Sequence, residues 1–338
     1  MVAMSGGVDS SVAAARLARD GHDVTGVTLK LWGGESDSGC CSVADVEDAR
    51  RVAAQLRIPH YVFNLTEDFE AAVVEPYVGA HAAGRTPNPC VECNRAIKFG
   101  RLAVRATALG FDALATGHHA RVRPGPAGRF RLMRGADRAK DQSYVLYMLD
   151  QEVLERLLLP VGDLTKAQVR AEAAALGLRT ADKPESMEVC FITRGGREEF
   201  LDARGAMTPG EIVDRDGRLL GHHRGAAAFT VGQRRGLGVA AGERRYVIDV
   251  DAPSGRVTVG FPEDLLRDGV TLRDLRFVNG RPPASEEVAV QSRAHGQPVP
   301  GHLSGDVVRY TRPQPRVAPG QVVALYRGDD LLGGGTAV

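Results

Sequence analysis

Near the start of the chain, the segment Ser5 to Ser11 (SGGVDSS) combines two adjacent glycines with hydroxyl and carboxylate side chains. It follows a short apolar run and precedes an apolar-periodic run from Val12 to Leu17, which predicts a strand, a tight turn and a helix. Adjacent glycines allow positive φ angles, so backbone N–H groups can converge above the helix N-terminus. Such a nest binds phosphate, the serine hydroxyls add donors, and Asp9 is a candidate ligand for Mg²⁺.

This loop differs from the Walker P-loop, which is longer and carries a lysine before its Ser or Thr. The alternative is an ordinary turn in which Ser or Asp caps the helix. A double glycine with one Asp and two Ser at a strand–helix junction favours phosphate binding over that alternative.

Five cysteines, an odd number, argue against a disulfide framework and for thiol chemistry or metal binding. Cys90 and Cys93 form a C-x-x-C in a Pro-rich segment, Gly84 to Asn94, that we predict to be an irregular loop. Four interpretations remain: buried filler, structural zinc, a redox dithiol, or a reactive thiol. The reactive-thiol interpretation is supported by two features: the prolines stiffen the loop, and the N-terminus of the following helix lowers the thiol pKa. Cys190 alone is typical of a core cysteine, and Cys40 and Cys41 receive no role.

Residues 1 to about 120 alternate strand and helix, which predicts an α/β fold: a parallel sheet covered on both faces, with ligands at the carboxyl ends of its strands. Past about residue 205, short β-rich pieces alternate with glycine turns, which predicts a small central β-rich domain and a C-terminal β-barrel. We place the boundaries at 1–203, 204–268 and 269–338. The elements predicted on the way include a strand at Val24–Leu31, a helix at Val43–Leu56, a buried strand at Tyr61–Phe63, helices at Lys140–Met148 and Lys166–Leu176, and a strand at Ala228–Val231.

The composition is that of a soluble globular protein, with 43% hydrophobic and 25% charged residues in 338. No apolar run approaches the roughly 20 residues that span a bilayer. We therefore expect a cytoplasmic protein without a membrane partner. The net charge of +1 argues neither for nor against nucleic acid, and lysines occur only at Lys30, Lys98, Lys140, Lys166 and Lys183.

Seven blocks of sequence, in order, carry a resemblance to a known family. They are AMSGGVDSS (3–11), GRTPNPCVECNRAIKF (84–99), ATGHHAR (115–121), KDQSYVLYML (140–149), VCFI (189–192), FTVGQRRGLG (229–238), and APGQVVALY with LGGG (318–326 and 332–335). Over essentially its full length the chain resembles the bacterial tRNA-specific 2-thiouridylases, whose SGGxDS loop is that of the ATP pyrophosphatases.

The resemblance implies a reaction. ATP, with Mg²⁺, adenylates the C2 oxygen of the wobble uridine in a tRNA anticodon, pyrophosphate leaves, and sulfur displaces AMP. The partners implied are the tRNA anticodon arm and a protein that donates persulfide sulfur. The sulfur must come from a soft nucleophile such as a thiolate or persulfide.

The resemblance also implies residue roles. Cys190 would carry the persulfide, and Cys93 would release the sulfur by forming a transient disulfide with it. ATP would be held by Ala3, Met4, Ser5, Gly6, Gly7, Val8, Asp9 and Ser10, with Leu29 and Gly117 near the adenosine. The tRNA would meet Asn88, Pro89, Cys90, His118, Lys140, Asp141, Gln142, Arg309, Tyr310 and Gln321.

One departure from the family opens a second mechanism. Many relatives carry Asp at the position of Cys90, so that in this chain Cys90, Cys93 and Cys190 could instead supply three thiolates to a [4Fe–4S] cluster with one open iron. The persulfide relay and the cluster both stay open. Two other functions remain as alternatives: an ATP pyrophosphatase that amidates a small molecule, and a non-enzymatic iron–sulfur RNA-binding module.

Overall fold

The secondary structure comes from a computed structural model that describes residues 1–32, 42–184, 189–192, 196–239, 243–294 and 296–338. Its strands are β1 (Val2–Ala3), β2 (Gly26–Lys30), β3 (His60–Asn64), β4 (Leu114–Ala115), β5 (Ala120–Pro124), β6 (Phe130–Arg134), β7 (Leu157–Leu158), β8 (Gly210–Asp214), β9 (Leu219–His223), β10 (Tyr246–Asp251), β11 (Arg256–Gly260), β12 (Leu266–Phe277), β13 (Glu287–Gln291), β14 (Val299–Ser304), β15 (Val307–Pro315), β16 (Val322–Arg327) and β17 (Asp330–Ala337). Its α-helices are α1 (Val8–Arg19), α2 (Val43–Leu56), α3 (Thr66–Phe69), α4 (Glu75–Ala82), α5 (Pro89–Glu92), α6 (Ala103–Ala108), α7 (Gln151–Glu155), α8 (Lys166–Ala175) and α9 (Gly196–Ala203), with π-helical turns at Glu70–Val74 and Cys93–Leu102. In the described part of the chain, no helix has the length and apolar character needed to cross a membrane.

A five-stranded parallel sheet, in the order β3-β2-β1-β4-β7, forms the first domain. Side chains on successive strand positions enter two different cores: Val2 and Ala115 lie in one, while Leu114 and Leu157 lie in the other. This period-two alternation is what a sheet covered on both faces requires. The predicted α/β architecture is therefore confirmed.

Helices α1 and α2 pack on one face of this sheet, and local signals determine where they begin. A capping box starts α2, since the Ser42 hydroxyl accepts from the Asp45 N–H and the Asp45 carboxylate accepts from the Ser42 N–H. The predicted helix at Val43–Leu56 is confirmed, as are the strand within Val24–Leu31 and the helix that begins at Lys166.

Four local predictions are wrong. The segment Gly84 to Asn94 is not wholly irregular, because Asn88 caps α5 by accepting from the Cys90 N–H and Pro89 occupies the first helical position. The strand at Tyr61–Phe63 is not buried, because β3 lies at the sheet edge and Tyr61 is 58% exposed.

The helix predicted at Lys140–Met148 is only a 3₁₀ turn over Ser143–Leu146, because the Asp141 carboxylate accepts from the backbone N–H groups of Gly135 and Ser143 and holds the chain in turns. The strand predicted at Ala228–Val231 is instead the end of a 3₁₀ turn over Ala226–Ala228.

The central region is a four-stranded sheet in the order β10-β11-β8-β9, with a small core of its own that includes Ile212, Val247 and Val257. The C-terminal region is a barrel of six strands in the order β12-β15-β14-β13-β16-β17, closed by the pairing of β12 with β17. The predicted β-rich second half and C-terminal barrel are therefore confirmed.

The barrel is joined to the first domain by a hairpin that the sequence did not reveal. Strands β5 and β6, which follow β4, extend the barrel sheet where Leu132 of β6 pairs with Leu331 of β17. Tyr326 of the barrel is fully buried in the main core of the first domain, where its hydroxyl lies 3.0 Å from that of Ser143. The barrel and the sheet thus share one core.

Candidate nucleotide and thiol site

The nucleotide loop, Met4 to Gly7, lies at the carboxyl end of β1, in the centre of the parallel sheet. From β1 the chain proceeds to β2 and β3 on one side and to β4 and β7 on the other, so the topological switch falls between β1 and β4. Open α/β sheets bind ligands in the crevice at such a point. The segment Gly117 to His119, which follows β4, lines the other side of this crevice.

Close backbone packing explains the glycines of the loop. Gly6 has φ +72°, and a Cβ there would lie 2.2 Å from the carbonyl oxygen of Asp45. Gly7 is the N-cap residue of α1 and provides no side-chain cap, which leaves the first N–H groups of this helix to an anion. Across the crevice, a Cβ on Gly117 would lie 2.6 Å from the backbone nitrogen of Ser10.

The serine hydroxyls serve the loop itself more than a ligand. The Ser10 hydroxyl accepts from the Ser5 N–H at 3.1 Å and donates to the Gly7 carbonyl at 3.1 Å. The Ser11 hydroxyl donates to the same carbonyl at 2.8 Å. The expectation that all three hydroxyls donate to phosphate is therefore corrected for Ser10 and Ser11, which stabilise the turn.

Asp9, in the first turn of α1, accepts hydrogen bonds from two basic side chains. Lys166 Nζ lies 2.8 and 2.7 Å from its two oxygens, and His119 Nε2 lies 3.0 Å from one of them. Burial would raise the pKa of Asp9, but the hydrogen bonds from His119 and Lys166 outweigh it and lower that pKa. Because both oxygens already bond to Lys166, Asp9 is not a preformed Mg²⁺ ligand in this arrangement.

Lys183 ties the loop to helix α2. Its ammonium donates to the Gly6 carbonyl at 3.0 Å and to the carboxylates of Asp45 and Asp48 at 2.7 and 2.6 Å. Burial disfavours its charge, yet the two carboxylates raise its pKa above the ordinary value. Sequence reasoning assigned no role to Lys183, Lys166 or His119. The scarcity of lysine, five of 43 basic residues, is the sequence signal that would have drawn attention to the first two.

Leu29, expected near the adenosine, and His118, expected to meet tRNA, are both buried. Leu29 of β2 is 7% exposed and lies in the main core. His118 is 8% exposed, its Nδ1 lies 2.7 Å from the Thr116 hydroxyl, and its ring packs near Phe99. Burial, assisted by the nearby Lys98, lowers the pKa of His118 well below its usual range, so the ring is neutral. His118 therefore lies buried beside Thr116 and Phe99, and contact with RNA would require exposure of its ring.

The thiols of the C-x-x-C lie at the beginning of a helix and not in a loop. Cys90 is exposed and Cys93 is buried at the junction of α5 with a π-helical turn, a feature that is frequent at functional sites. Cys93 belongs to the main core, and the half-exposed Cys190 packs against that same core beside Phe191. Cys40 and Cys41 lie outside the described residues.

Cys90, Cys93 and Cys190 are the three residues expected as ligands of an iron–sulfur cluster. Within the described ranges, no three or more His, Cys, Asp or Glu side chains are grouped so as to hold a metal ion. Cys90, Cys93 and Cys190 thus do not form a ligand set, and the arrangement does not fit a [4Fe–4S] cluster.

Two of the residues expected to meet tRNA, Asp141 and Gln321, form side-chain hydrogen bonds within the protein. Asp141 is 5% exposed and forms an ion pair with Arg134 at 2.9 Å, while its oxygens also accept from Gly135 and Ser143. Gln321 donates to the Thr86 carbonyl at 2.8 Å and remains partly exposed.

The other expected tRNA residues lie nearer the surface. Gln142 is exposed and its side chain accepts from the His119 N–H at 2.9 Å. Arg309 is exposed on β15, next to the half-buried Tyr310, the pKa of which burial raises to about 12. The first domain and the barrel thus each present polar side chains to solvent.

Comparison with known proteins agrees with this architecture. Three family models match, described as a tRNA methyl transferase HUP domain over residues 1–194, a tRNA methyl transferase PRC-barrel domain over 198–261 and an aminomethyltransferase beta-barrel domain over 267–337. A U34-tRNA thiolase structure from Methanococcus maripaludis, which holds a [4Fe–4S] cluster, is 15% identical, covers 60% of this chain and 62% of its own, and has a TM-score of 0.37, too low to support any functional argument.

Two curated relatives are much more similar. The tRNA-specific 2-thiouridylase of Roseiflexus sp. (strain RS-1) is 48% identical over 364 residues, covering 99% of this chain and 98% of the relative. That of Geobacter metallireducens is 47% identical over 350 residues, covering 99% and 95%. The chain therefore belongs to the tRNA-specific 2-thiouridylase family.

Proposed function

We propose that this protein uses ATP to replace the C2 oxygen of the wobble uridine in tRNA anticodons with sulfur. The observation that carries the proposal is one domain that combines a phosphate-binding loop at the switch point of its sheet with two thiols, Cys93 and Cys190, against a single core. The names of the similar relatives support the same reaction. We place the reaction in the cytoplasm, where its tRNA substrate is made.

The first step activates the uridine. The loop and the N-terminus of α1 receive the phosphates of ATP, which bring Mg²⁺ with them. The nucleotide-binding residues in this proposal are Ala3, Met4, Ser5, Gly6, Gly7, Val8, Asp9, Ser10, Leu29 and Gly117. The C2 oxygen attacks the α-phosphorus and pyrophosphate leaves. Lys166, which Asp9 holds beside the helix N-terminus, offsets the charge of the leaving pyrophosphate.

The second step transfers sulfur. A persulfide on Cys190, supplied by a donor protein, attacks C2 through its terminal sulfur, and AMP leaves with the former C2 oxygen. The Cys93 thiolate then attacks Sγ of Cys190, the S–S bond breaks, and its electron pair stays on the sulfur that becomes the 2-thio group. The product is a disulfide between Cys93 and Cys190, which an external dithiol reduces before the next turnover.

The tRNA contacts in this proposal divide into direct and supporting groups. Asn88, Pro89 and Cys90 would border the extruded target base, because the start of α5 is exposed at Cys90. The exposed parts of Lys140, Gln142, Arg309, Tyr310 and Gln321 would meet the RNA backbone. Asp141 and His118, which are buried, would position these neighbours.

The test is nucleoside mass spectrometry of an unmodified tRNA transcript incubated with the protein, ATP, Mg²⁺ and a persulfide donor. We expect 2-thiouridine from the wild type and none from Cys93→Ala or Cys190→Ala, while both variants still bind ATP. Cys90→Ser is the comparison within the same C-x-x-C: it should lower thiolation without abolishing it, since Cys90 borders the target base in this proposal but takes no part in the relay. If Cys190→Ala transfers sulfur at the normal rate, the relay is refuted.

Two other products would point elsewhere. Pyrophosphate release without thiouridine, when ammonia and a small acid are present, would indicate an amidating ATP pyrophosphatase. A methylated uridine would agree with the descriptions of two of the family models. The two core thiols favour thiolation over both, because neither amidation nor methyl transfer requires a sulfur relay.

A further inference from the structure

A basic cavity lies apart from the nucleotide loop, where the first domain, the central sheet and the barrel meet. Its volume is about 520 Å³, within the range of ligand-binding cavities. The first domain contributes Arg197 of α9, the central region contributes Thr230 to Gln233, and the barrel region contributes Arg293 and Arg316. None of the nucleotide-loop residues lines it.

The residues that line the cavity favour the binding of an anion. The described residues of the lining include three arginines and no carboxylate side chain. Arg197 donates to the Ala228 carbonyl at 2.6 Å, and Arg316 donates to the Ile248 carbonyl at 2.9 Å. Since each guanidinium carries five N–H donors, these contacts fix the arginines and leave further donors for a ligand. The carboxylate of Asp249, which pairs with Arg316 at 3.1 Å, offsets only part of the charge.

The lining residues also favour one part of a nucleotide over another. Among the residues that the structure describes, the lining side chains are Arg, Thr, Val, Gln, Ser, Pro and Ala, together with Gly232, and none of these is aromatic. Sites that take up a nucleobase usually stack it on an aromatic ring. A cavity with guanidinium groups and without such a ring suits a sugar–phosphate group and not a base.

Three hydrogen bonds connect the cavity lining and the adjoining Pro319 to Thr86, which lies just before the thiol-bearing helix. Thr86 donates its N–H to the Pro319 carbonyl at 2.7 Å, its carbonyl accepts from Gln321 at 2.8 Å, and its hydroxyl lies 3.4 Å from that of Thr230. Thr86 precedes Asn88, the cap of α5, by two residues. A group bound in the cavity would thus lie next to the segment that leads to Cys90 and Cys93.

We propose that this cavity binds a backbone phosphate of the RNA substrate close to the nucleotide that is thiolated. The inference rests on the proposed function and adds to it a substrate-binding site outside the predicted RNA-contacting residues, apart from Gln321. The cavity contributes affinity and orientation, and it takes no part in adenylation or sulfur transfer.

The test is the salt dependence of binding of an unmodified tRNA transcript. Arg293→Gln and Arg316→Gln are compared with Arg281→Gln, which removes an exposed arginine of the same region that is not part of the cavity lining. Each cavity variant should weaken binding roughly tenfold at low salt and reduce the slope of log K against log salt by about 1. The slope for Arg281→Gln should equal that of the wild type. Arg293 is the cleaner position, because Arg316 also supports the Ile248 backbone.

The outcomes separate this inference from the proposed function. Wild-type slopes in both cavity variants would overturn the phosphate site, even with normal thiolation. Calorimetric titration with inorganic phosphate is a second experiment. If the variants lose phosphate binding but keep the wild-type salt dependence of tRNA binding, the cavity binds a free anion. That result would overturn the proposal that it binds a phosphate of the RNA. Absence of thiouridine from the wild type, with tRNA binding and its slopes behaving as expected, would instead contradict the proposed function alone.

Discussion

Replacing Gly117 with alanine tests whether the crevice depends on close approach of two backbone segments. The added Cβ would lie 2.6 Å from the nitrogen of Ser10 and 2.7 Å from the carbonyl carbon of Asp9, where ordinary contact begins at 3.4 Å. Because both neighbours are backbone atoms of α1, a rotamer change cannot relieve the clash. Either the segment after β4 or the start of α1 must move by about 0.8 Å, and protein interiors are too densely packed to absorb that freely.

We expect two measurable effects of Gly117→Ala. Overpacking of this kind costs about 1–3 kcal/mol, which urea unfolding would detect as a lower midpoint at unchanged slope. The shift also redirects the N–H groups at the start of α1, so calorimetric titration with a non-hydrolysable ATP analogue should give a Kd roughly tenfold higher, equivalent to about 1.4 kcal/mol.

A matched control is available in the same domain. Gly79 lies in α4, is exposed, and a Cβ there would meet nothing within 4 Å. Gly79→Ala should therefore stabilise the protein by about 0.5–1 kcal/mol and leave the Kd unchanged. A Gly117→Ala protein as stable as the wild type, with the same Kd for the analogue, would refute the view that this contact shapes the nucleotide site.

Three further predictions follow from the contacts described. Lys183→Met should raise the Kd of the ATP analogue in calorimetry, because the loop loses its tie to Asp45 and Asp48; an unchanged Kd would show that the tie is dispensable. Tyr326→Phe should lower the free energy of urea unfolding by about 1 kcal/mol, since Ser143 loses a buried partner, and no change would mean that this bond does not stabilise the barrel contact. Burial, assisted by Arg197, lowers the pKa of His81 in the folded protein from 6.5 to about 4. The unfolded state therefore binds the proton more readily than the folded state. As a result, the free energy of unfolding is highest above pH 6.5 and falls as the pH is lowered toward 4. Between pH 7.5 and pH 5 the free energy of unfolding should fall by about 2 kcal/mol because of His81. In urea unfolding, the decrease between these two pH values should therefore be about 2 kcal/mol smaller for His81→Leu than for the wild type. Equal decreases would contradict the lowered pKa of His81.

The fold was predictable where the signals were local. The turn after β1 follows from paired glycines, and the start of α2 follows from the capping residue Ser42. The C-x-x-C segment carried an equally local signal, Asn88 followed by Pro89, which is typical of a helix start. Two prolines within three residues outweighed it and led to the prediction of a loop.

The wrong helix at Lys140–Met148 has a different cause, because two of its side chains bond to partners outside the segment, in addition to the local hydrogen bonds of Asp141. Asp141 pairs with Arg134 of β6, while Tyr144 donates to the Val322 carbonyl of the barrel at 2.8 Å. Neither partner lies within the periodic window from which a helix is predicted. The β5–β6 hairpin was missed for a related reason, since it exists as an extension of a barrel sheet formed about 200 residues later.

The candidate site was predictable in its loop and thiols but not in the cations that organise it. Lys166 bonds to both oxygens of Asp9, and Lys183 bonds at once to the Gly6 carbonyl and two carboxylates. A compact ammonium with three rotatable donors suits such converging acceptors, whereas the planar fork of arginine requires partners in its own plane. In this chain, which uses arginine for nearly all of its positive charge, two of the five lysines lie at such converging acceptors. The rarity of lysine was therefore a usable signal for the site that no motif carried, and Lys98, whose charge helps burial to lower the pKa of His118, lies near the same crevice.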